Sequence, residues 1–257
     1  MIDIFYIFHV TTYNPIEVIK MKRINKVGFL LCLCGLLFSG KEIVKIYHEY
    51  HVGKKIYHKL EGKTKIKEEN DAVDLDVNFD ELKKININCI GWIYIPNTKI
   101  NYPLVQAEDN QFWLNHAFDG TKNTSGSIFV SKRNNGFLNQ NTIVYGHNKK
   151  DGSMFADLHK YENATFAKEN PFVYIKTENR LTCYKVFSAH TTMDGSDVYT
   201  CDFTKTAFQK YINVALTKSQ IENGDISISA SDKIITLSTC MSRGIKLERF
   251  VVQAVRV

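Results

Sequence analysis

Of the six cysteines in the chain, Cys240 stands where a side chain could do chemistry. It closes the apolar run Lys233-Ile234-Ile235-Thr236-Leu237-Ser238-Thr239-Cys240, a strand pattern, and a polar loop over residues 241–248 follows. Such a residue emerges at the rim of a rigid scaffold, where catalytic groups concentrate. A thiol becomes a useful nucleophile when a neighbouring base or cation favours its thiolate, and a proton donor must then help the leaving amine depart. His147 suits that second role, because it stands just past the strand-like Thr142-Ile143-Val144-Tyr145, and Gly146 before it permits close backbone approach. A cation for a developing oxyanion could be Arg249, at the head of the final strand, or Arg243, three residues after Cys240. Spacing alone leaves the two arginines in competition, and it leaves open a buried thiol, a surface histidine and a solvated arginine.

The remaining cysteines and histidines read as structural. Cys32 and Cys34 lie in an apolar run and read as membrane-embedded small hydrophobes. Cys89, Cys183 and Cys201 sit in or beside strand patterns, where a Cys183–Cys201 disulfide is allowed but not demanded. No C-x-x-C pair occurs, so neither a zinc ribbon nor a thioredoxin-type motif is present. His48, Glu49 and His51 approach the zinc-protease helix motif, but position 52 is Val52 where the second histidine is required. His116, His159 and His190 fall on short helices or a strand end and carry no role by this reading.

The elements that must position Cys240 and His147 are short. β-Branched and aromatic runs bounded by turn residues occur at 90–95, 100–106, 127–131, 142–145, 172–177, 181–191, 233–238 and 250–257. Helical spacing appears at 79–85, 110–117, 154–161 and 204–216, where Phe208, Tyr211, Ile212 and Leu216 share a face. The pattern predicts a mostly β fold, a closed eight-stranded barrel in preference to a sandwich, with peripheral helices. The folded domain is expected over 76–257, preceded by a helical stalk over 47–75 that is rich in Lys, Glu, Tyr and His.

With 257 residues, 44% hydrophobic and 23% charged, the chain can bury a core, and 4 Pro and 14 Gly exclude collagen-like and low-complexity readings. The net charge of +6 is uneven: residues 1–67 hold 12 Lys+Arg against 5 Asp+Glu, and 68–257 hold 21 against 22. A neutral folded domain argues against nucleic acid as partner. Lys20, Lys22, Arg23 and Lys26 instead precede the apolar run 27–38, which reads as an uncleaved membrane anchor over 27–46. The positive flank would lie inside and the catalytic domain outside, a single-pass membrane location. A cleaved signal peptide is the rival, without an evident cleavage site beyond Phe38-Ser39-Gly40. Met21-Lys22-Arg23 looks like a natural start, so residues 1–20 of the N-terminal segment 1–26 are expected not to be translated.

Thr236-Leu237-Ser238-Thr239-Cys240 followed by Arg249-Phe250-Val251-Val252 resembles the active-site signature of sortases, class B in particular. Further blocks agree in the same order: Gly91-Trp92-Ile93-Tyr94-Ile95-Pro96, Ile100-Asn101-Tyr102-Pro103, Leu114-Asn115-His116, Gly126-Ser127-Ile128-Phe129, Tyr145-Gly146-His147-Asn148 and Gly152-Ser153-Met154-Phe155. The resemblance covers about 76–257 and implies a cysteine transpeptidase of Gram-positive bacteria. Cys240 would attack the carbonyl of a Thr in the sorting signal of a surface protein. His147 would protonate the departing amine, and Arg249 would steady substrate and oxyanion. Leu237, Ser238 and Thr239 would shape the substrate pocket. A peptidoglycan amine would then release the thioacyl enzyme. Sorting motifs of the Asn-Pro-x-Thr-Asn or Ser/Asn-Pro-x-Thr-Gly type are implied without a choice between them, and no metal or organic cofactor is implied. A hydrolytic cysteine peptidase uses the same Cys and His, and a non-enzymatic surface binding module is the third reading.

Overall fold

The computed structural model describes residues 15–69, 72–222, 226–241 and 247–257. The chain divides into two compact units between His48 and Glu49. Helix α1, Pro15–Glu61, runs through that division. Within the first unit its Phe29, Leu30, Leu31, Leu36, Leu37 and Phe38 are all exposed. No helix among the described residues is long and apolar enough to cross a membrane. The uninterrupted apolar run is twelve residues, 27–38, and Lys26, Lys41, Glu42 and Lys45 flank it. That falls short of the roughly 20 apolar residues a bilayer requires. The membrane anchor expected over 27–46 is therefore corrected, and with it the single-pass membrane location and the embedded reading of Cys32 and Cys34. The expected start at Met21 concerns residues 1–20, of which 1–14 lie outside the described residues.

The second unit begins with the last turns of α1. Tyr57 and Leu60 are buried there, and the Tyr57 hydroxyl donates to the Gly126 carbonyl at 2.5 Å. Gly53 faces Asn123 and Ser125 so closely that an added Cβ would meet Asn123 Oδ1 at 2.8 Å, and Asn123 Nδ2 donates to the Glu49 carbonyl. These contacts brace the 123–127 segment, which leads into the strands of the site. After α1 come two antiparallel strands, β1 (Thr64–Glu69) and β2 (Ala72–Val77), where the sequence reading had a helical stalk. Lys and Glu are good helix formers, and their density there outweighed the alternation of Val73, Leu75 and Val77. Helix α2 (Phe79–Ile85), capped by the Asn78 side chain, buries Phe79 and Leu82.

The eight expected strands form one closed barrel. They are β3 (Cys89–Tyr94), β4 (Asn101–Gln106), β5 (Ile128–Val130), β6 (Asn141–Tyr145), β7 (Phe172–Lys176), β8 (Leu181–Met193), β9 (Ile234–Cys240) and β10 (Glu248–Arg256). Around the barrel the order is β10-β8-β7-β3-β4-β5-β6-β9. Two of the eight pairings, β4 with β5 and β6 with β9, are parallel. Ile93, Leu104, Ile128, Val144, Ile235, Leu237 and Val252 fill the interior. Helices α3 (Asn110–Leu114), α4 (Ala164–Glu169) and α5 (Lys205–Lys218), with a 3-10 helix over Ala156–Glu162, lie outside it. Six of the seven residues of β9 are buried, an uninterrupted run that arises when both faces of a strand are covered. On the outer face Phe208, Ile212 and Ala215 of α5 pack with Ile234 and Val255.

A buried histidine ties α5 to β8. The single Ser188 hydroxyl hydrogen goes to the Ala215 carbonyl (2.8 Å), so the hydroxyl accepts from His190 Nδ1–H (3.0 Å). Burial foremost, and the charge of Lys218, depress the His190 pKa from 6.5 to about 4. The unfolded chain then binds a proton at higher pH than the fold does, so this histidine's contribution is complete above pH 6.5 and is lost as pH falls toward 4. Urea melts of the wild type should show stability declining across that window, and His190→Gln should flatten the decline; an unchanged slope in His190→Gln would assign the decline to other groups.

Candidate active site

Strand register brings the candidate residues together. Cys240 lies directly opposite Arg249 across the antiparallel β9–β10 pair. The neighbouring bond, Met241 N–H to the Glu248 carbonyl at 3.2 Å, makes Cys240/Arg249 a non-hydrogen-bonded pair. In such pairs the Cα atoms approach to about 4.5 Å and the two side chains leave from one face. On its other side β9 runs parallel to β6, with Tyr145 beside Ser238, and Gly146 N–H reaches the Ser238 carbonyl. The next residue is His147, which therefore emerges at the same barrel end. Gly146 is required there, since a Cβ would lie 2.4 Å from Ile128 Cδ1 and 2.7 Å from Phe155 Cγ.

A cleft of about 280 Å³ results, lined by Leu114, His147, Asp194, Ser238, Thr239, Cys240 and Arg249 among others. Cys240 is exposed at its floor. Nε2 of His147 lies 2.6 Å from the Leu114 carbonyl, an acceptor only, so Nε2 carries the hydrogen and Nδ1 keeps its lone pair. Burial above all, and the nearby Lys149 charge, lower the His147 pKa, while the Leu114 bond opposes the shift. The imidazole is thereby held neutral near pH 7, ready to accept a proton. The Arg249 guanidinium donates through Nη2 to Asp194 Oδ2 at 2.9 Å and through Nη1 to the Glu248 carbonyl at 3.1 Å. The Asp194 pair is partly exposed, so it orients the guanidinium more than it stabilises the fold.

Of the residues expected to shape a pocket, Ser238 and Thr239 line the cleft, and Leu237 packs in the barrel interior instead. The Ser238 hydroxyl pairs with Tyr199 at 3.0 Å. Thr239 Oγ1 is buried without a hydrogen-bond partner among the described residues, a state that costs about 1–3 kcal/mol. Arg243 lies outside the described residues. The other barrel cysteines are free thiols, and burial pushes the pKa of each upward, that of Cys89 to about 11. A larger cavity, about 420 Å³, lies under α5 against His190 and Tyr211, with no cysteine in its lining. Sequence reading missed Asp194, in the turn after β8, and the Leu114 carbonyl, at the last residue of α3, because no local pattern encodes which distant side chain either one meets. It also passed over Asn148 and His159, although the three-residue spacing of His159 and Glu162 on one helical turn was readable.

The family model described as Sortase domain matches residues 93–257. A relative named Sortase B, from Listeria monocytogenes, is 36% identical over 240 residues, covering 86% of this chain and 92% of its own length. The Staphylococcus aureus sortase B–substrate complex superposes with a TM-score of 0.65 at 33% identity, covering 70% of this chain and 84% of that one. A sortase B complexed with triglycine gives the same TM-score, 0.65, and the same identity, 33%, over 70% of this chain and 85% of its own.

Gly146→Ala tests how tightly His147 is delivered to the rim. Overpacking against Ile128 and Phe155 should cost about 1–3 kcal/mol in a urea melt. The His147 ring resonances should shift in the same variant, and a neutral substitution would show that the segment has slack.

Proposed function

The chain belongs to the sortase family, on the sortase B branch, and from that premise we propose that it cleaves a sorting signal after Thr and joins the acyl group to a cell-wall amine. The observation that supports this most is the convergence of Cys240, His147 and Arg249 on one cleft from three adjacent strands. The substrate and triglycine complexes of sortase B structures favour the same two partners, a peptide donor and an amine acceptor.

In the first half-reaction His147 Nδ1 takes the Cys240 proton as Sγ attacks the Thr carbonyl carbon. The carbonyl oxygen becomes an oxyanion, and the Arg249 guanidinium compensates its charge. The scissile C–N bond breaks as the imidazolium returns the proton to the departing nitrogen, which leaves a thioacyl enzyme and a free amine. In the second half-reaction the acceptor amine attacks the thioester carbonyl, gives a proton to His147, and expels the Cys240 sulfur. Neither half-reaction calls for a metal or organic cofactor.

Quenched peptides of the Asn-Pro-x-Thr-Asn and Ser/Asn-Pro-x-Thr-Gly types, incubated with the protein with and without diaminopimelate or short glycine peptides, test the reading. An amide product that grows with amine is expected; an acid product indifferent to every amine would favour hydrolysis. Cys240→Ala should abolish cleavage, and Cys89→Ala should keep it. Arg249→Ala should lose roughly 10²-fold in rate, the scale of one oxyanion donor. Arg249→Lys should also be poor, because an ammonium cannot reproduce the planar fork, whereas Arg243→Ala should cost far less. The reverse ranking would assign the cation to Arg243.

The pH–rate profile should be bell-shaped, and its acid limb should fall below the ordinary histidine range, following the lowered His147 pKa. An acid limb above pH 6.5 would contradict a buried neutral imidazole.

A further inference from the structure

The carbonyl of Cys240 has lost its strand partner. Along β9 the Ser238 carbonyl faces β6 and receives Gly146 N–H, the last bond of that ladder. Two residues on, the Cys240 carbonyl points the same way, but β6 has already left the sheet to deliver His147. Two side chains take the place of the missing strand. Asn148 Nδ2 donates to the Cys240 oxygen at 2.9 Å, and His159 Nε2 lies 3.1 Å from the same atom. The two nitrogens are 3.0 Å apart, so the Asn148 amide has one hydrogen for the Cys240 oxygen and a second for the His159 ring. On its far side His159 Nδ1 meets Glu162 Oε1 at 2.8 Å, and its ring stacks on Phe250 with centroids 5.0 Å apart. Nδ1 thus donates to Glu162, and Nε2 sits between the Asn148 amide and the Cys240 carbonyl.

We propose that His159 and Glu162 are positioning residues for the thiol chemistry: Glu162 orients the imidazole, and the imidazole, together with Asn148, fixes the peptide plane that follows Cys240. The proposal rests on the transpeptidase reading for its kinetic consequence. Cys240 is the last residue of β9, and the peptide plane after it is held on its β10 edge by Met241 N–H to the Glu248 carbonyl at 3.2 Å. The clamp holds the opposite edge, and losing it lets the plane tilt and Sγ shift relative to His147 and Arg249. Misplacement of a reacting atom by about 1 Å costs up to 10²-fold in rate. The clamp also couples the two catalytic segments, since Asn148 is the neighbour of His147 and Phe250 the neighbour of Arg249.

Three variants separate the hydrogen bond from the packing. His159→Phe keeps the stack on Phe250 and loses both nitrogens; His159→Gln puts an amide nitrogen where Nε2 stood; His159→Asn places one nearer Nδ1. With a sorting peptide that the wild type processes, His159→Phe and His159→Asn should lose on the order of tenfold in kcat with KM unchanged. His159→Gln should recover most of it. Glu162→Gln, which keeps an acceptor toward Nδ1, should be milder than Glu162→Ala.

A second readout does not depend on turnover. Cys240-Met241 is the only Cys-Met pair in the chain, so labelling with carbonyl-13C cysteine and 15N methionine gives one correlation peak that reports this carbonyl. His159→Phe should move that carbonyl resonance upfield, as a carbonyl does on losing a donor, and His159→Gln should leave it near the wild-type position. An unmoved peak in His159→Phe, or equal kinetic losses in the Gln and Phe variants, would overturn the clamp. A wild type that processes no sorting peptide, with the peak still moving as described, would refute the transpeptidase reading and leave the clamp standing.

Discussion

Everything at the site follows from the register of β9 against β10. Because Cys240 and Arg249 form a non-hydrogen-bonded pair, thiol and guanidinium leave the same face of the sheet at the closest spacing an antiparallel ladder offers. A slip of one residue would send one of them to the opposite face. The register is held along its length by buried residues: Leu237 opposite Val252 and Ile235 opposite Ala254, all fully enclosed. Barrel closure then supplies the third group, because β6 flanks β9 on the other side and ends just short of Gly146 and His147.

That geometry has a cost, visible in backbone groups left without ladder partners at the rim. β6 must leave the sheet early for His147 to reach the cleft, and the Cys240 carbonyl loses its neighbour. Groups from outside the barrel hold the rim in its place. Asn148 and His159 serve Cys240, the Leu114 carbonyl serves His147, and Asp194 serves Arg249. Each of the three cleft residues is thus held by an element other than the strand that carries it. The brace of Tyr57 on Gly126 extends the same support one layer outward, since a Cβ added at Gly126 would lie 2.9 Å from the His147 ring.

The strands were legible because their β-branched runs are long enough to fill a barrel and are punctuated by turns. That Cys240 and His147 reach one cleft was legible for a related reason, since a residue just past an apolar run emerges at the barrel rim. That Arg249 pairs with Cys240 across β9–β10 was not legible from spacing. Asp194 sits in a turn and Leu114 at the end of α3, and nothing in the local pattern of residues 194 or 114 points to positions 249 and 147. The 64–77 hairpin was hidden by Lys and Glu, whose helix propensity masked the alternation of Val73, Leu75 and Val77. The anchor misled in the opposite way: basic residues before twelve apolar ones have the right order for a span and too little length.

The central claim is that acyl transfer passes through a covalent bond to Cys240, and the direct measurement is the mass of the enzyme while it turns over. The protein is mixed with a sorting peptide in the absence of amine, quenched in acid, and digested with trypsin. The peptide spanning residues 234–243 should carry the mass of the acyl fragment ending in Thr, and the adduct should vanish when an acceptor amine is added before the quench. Cleavage with no adduct on that peptide, or an adduct that outlasts every amine, would contradict the account.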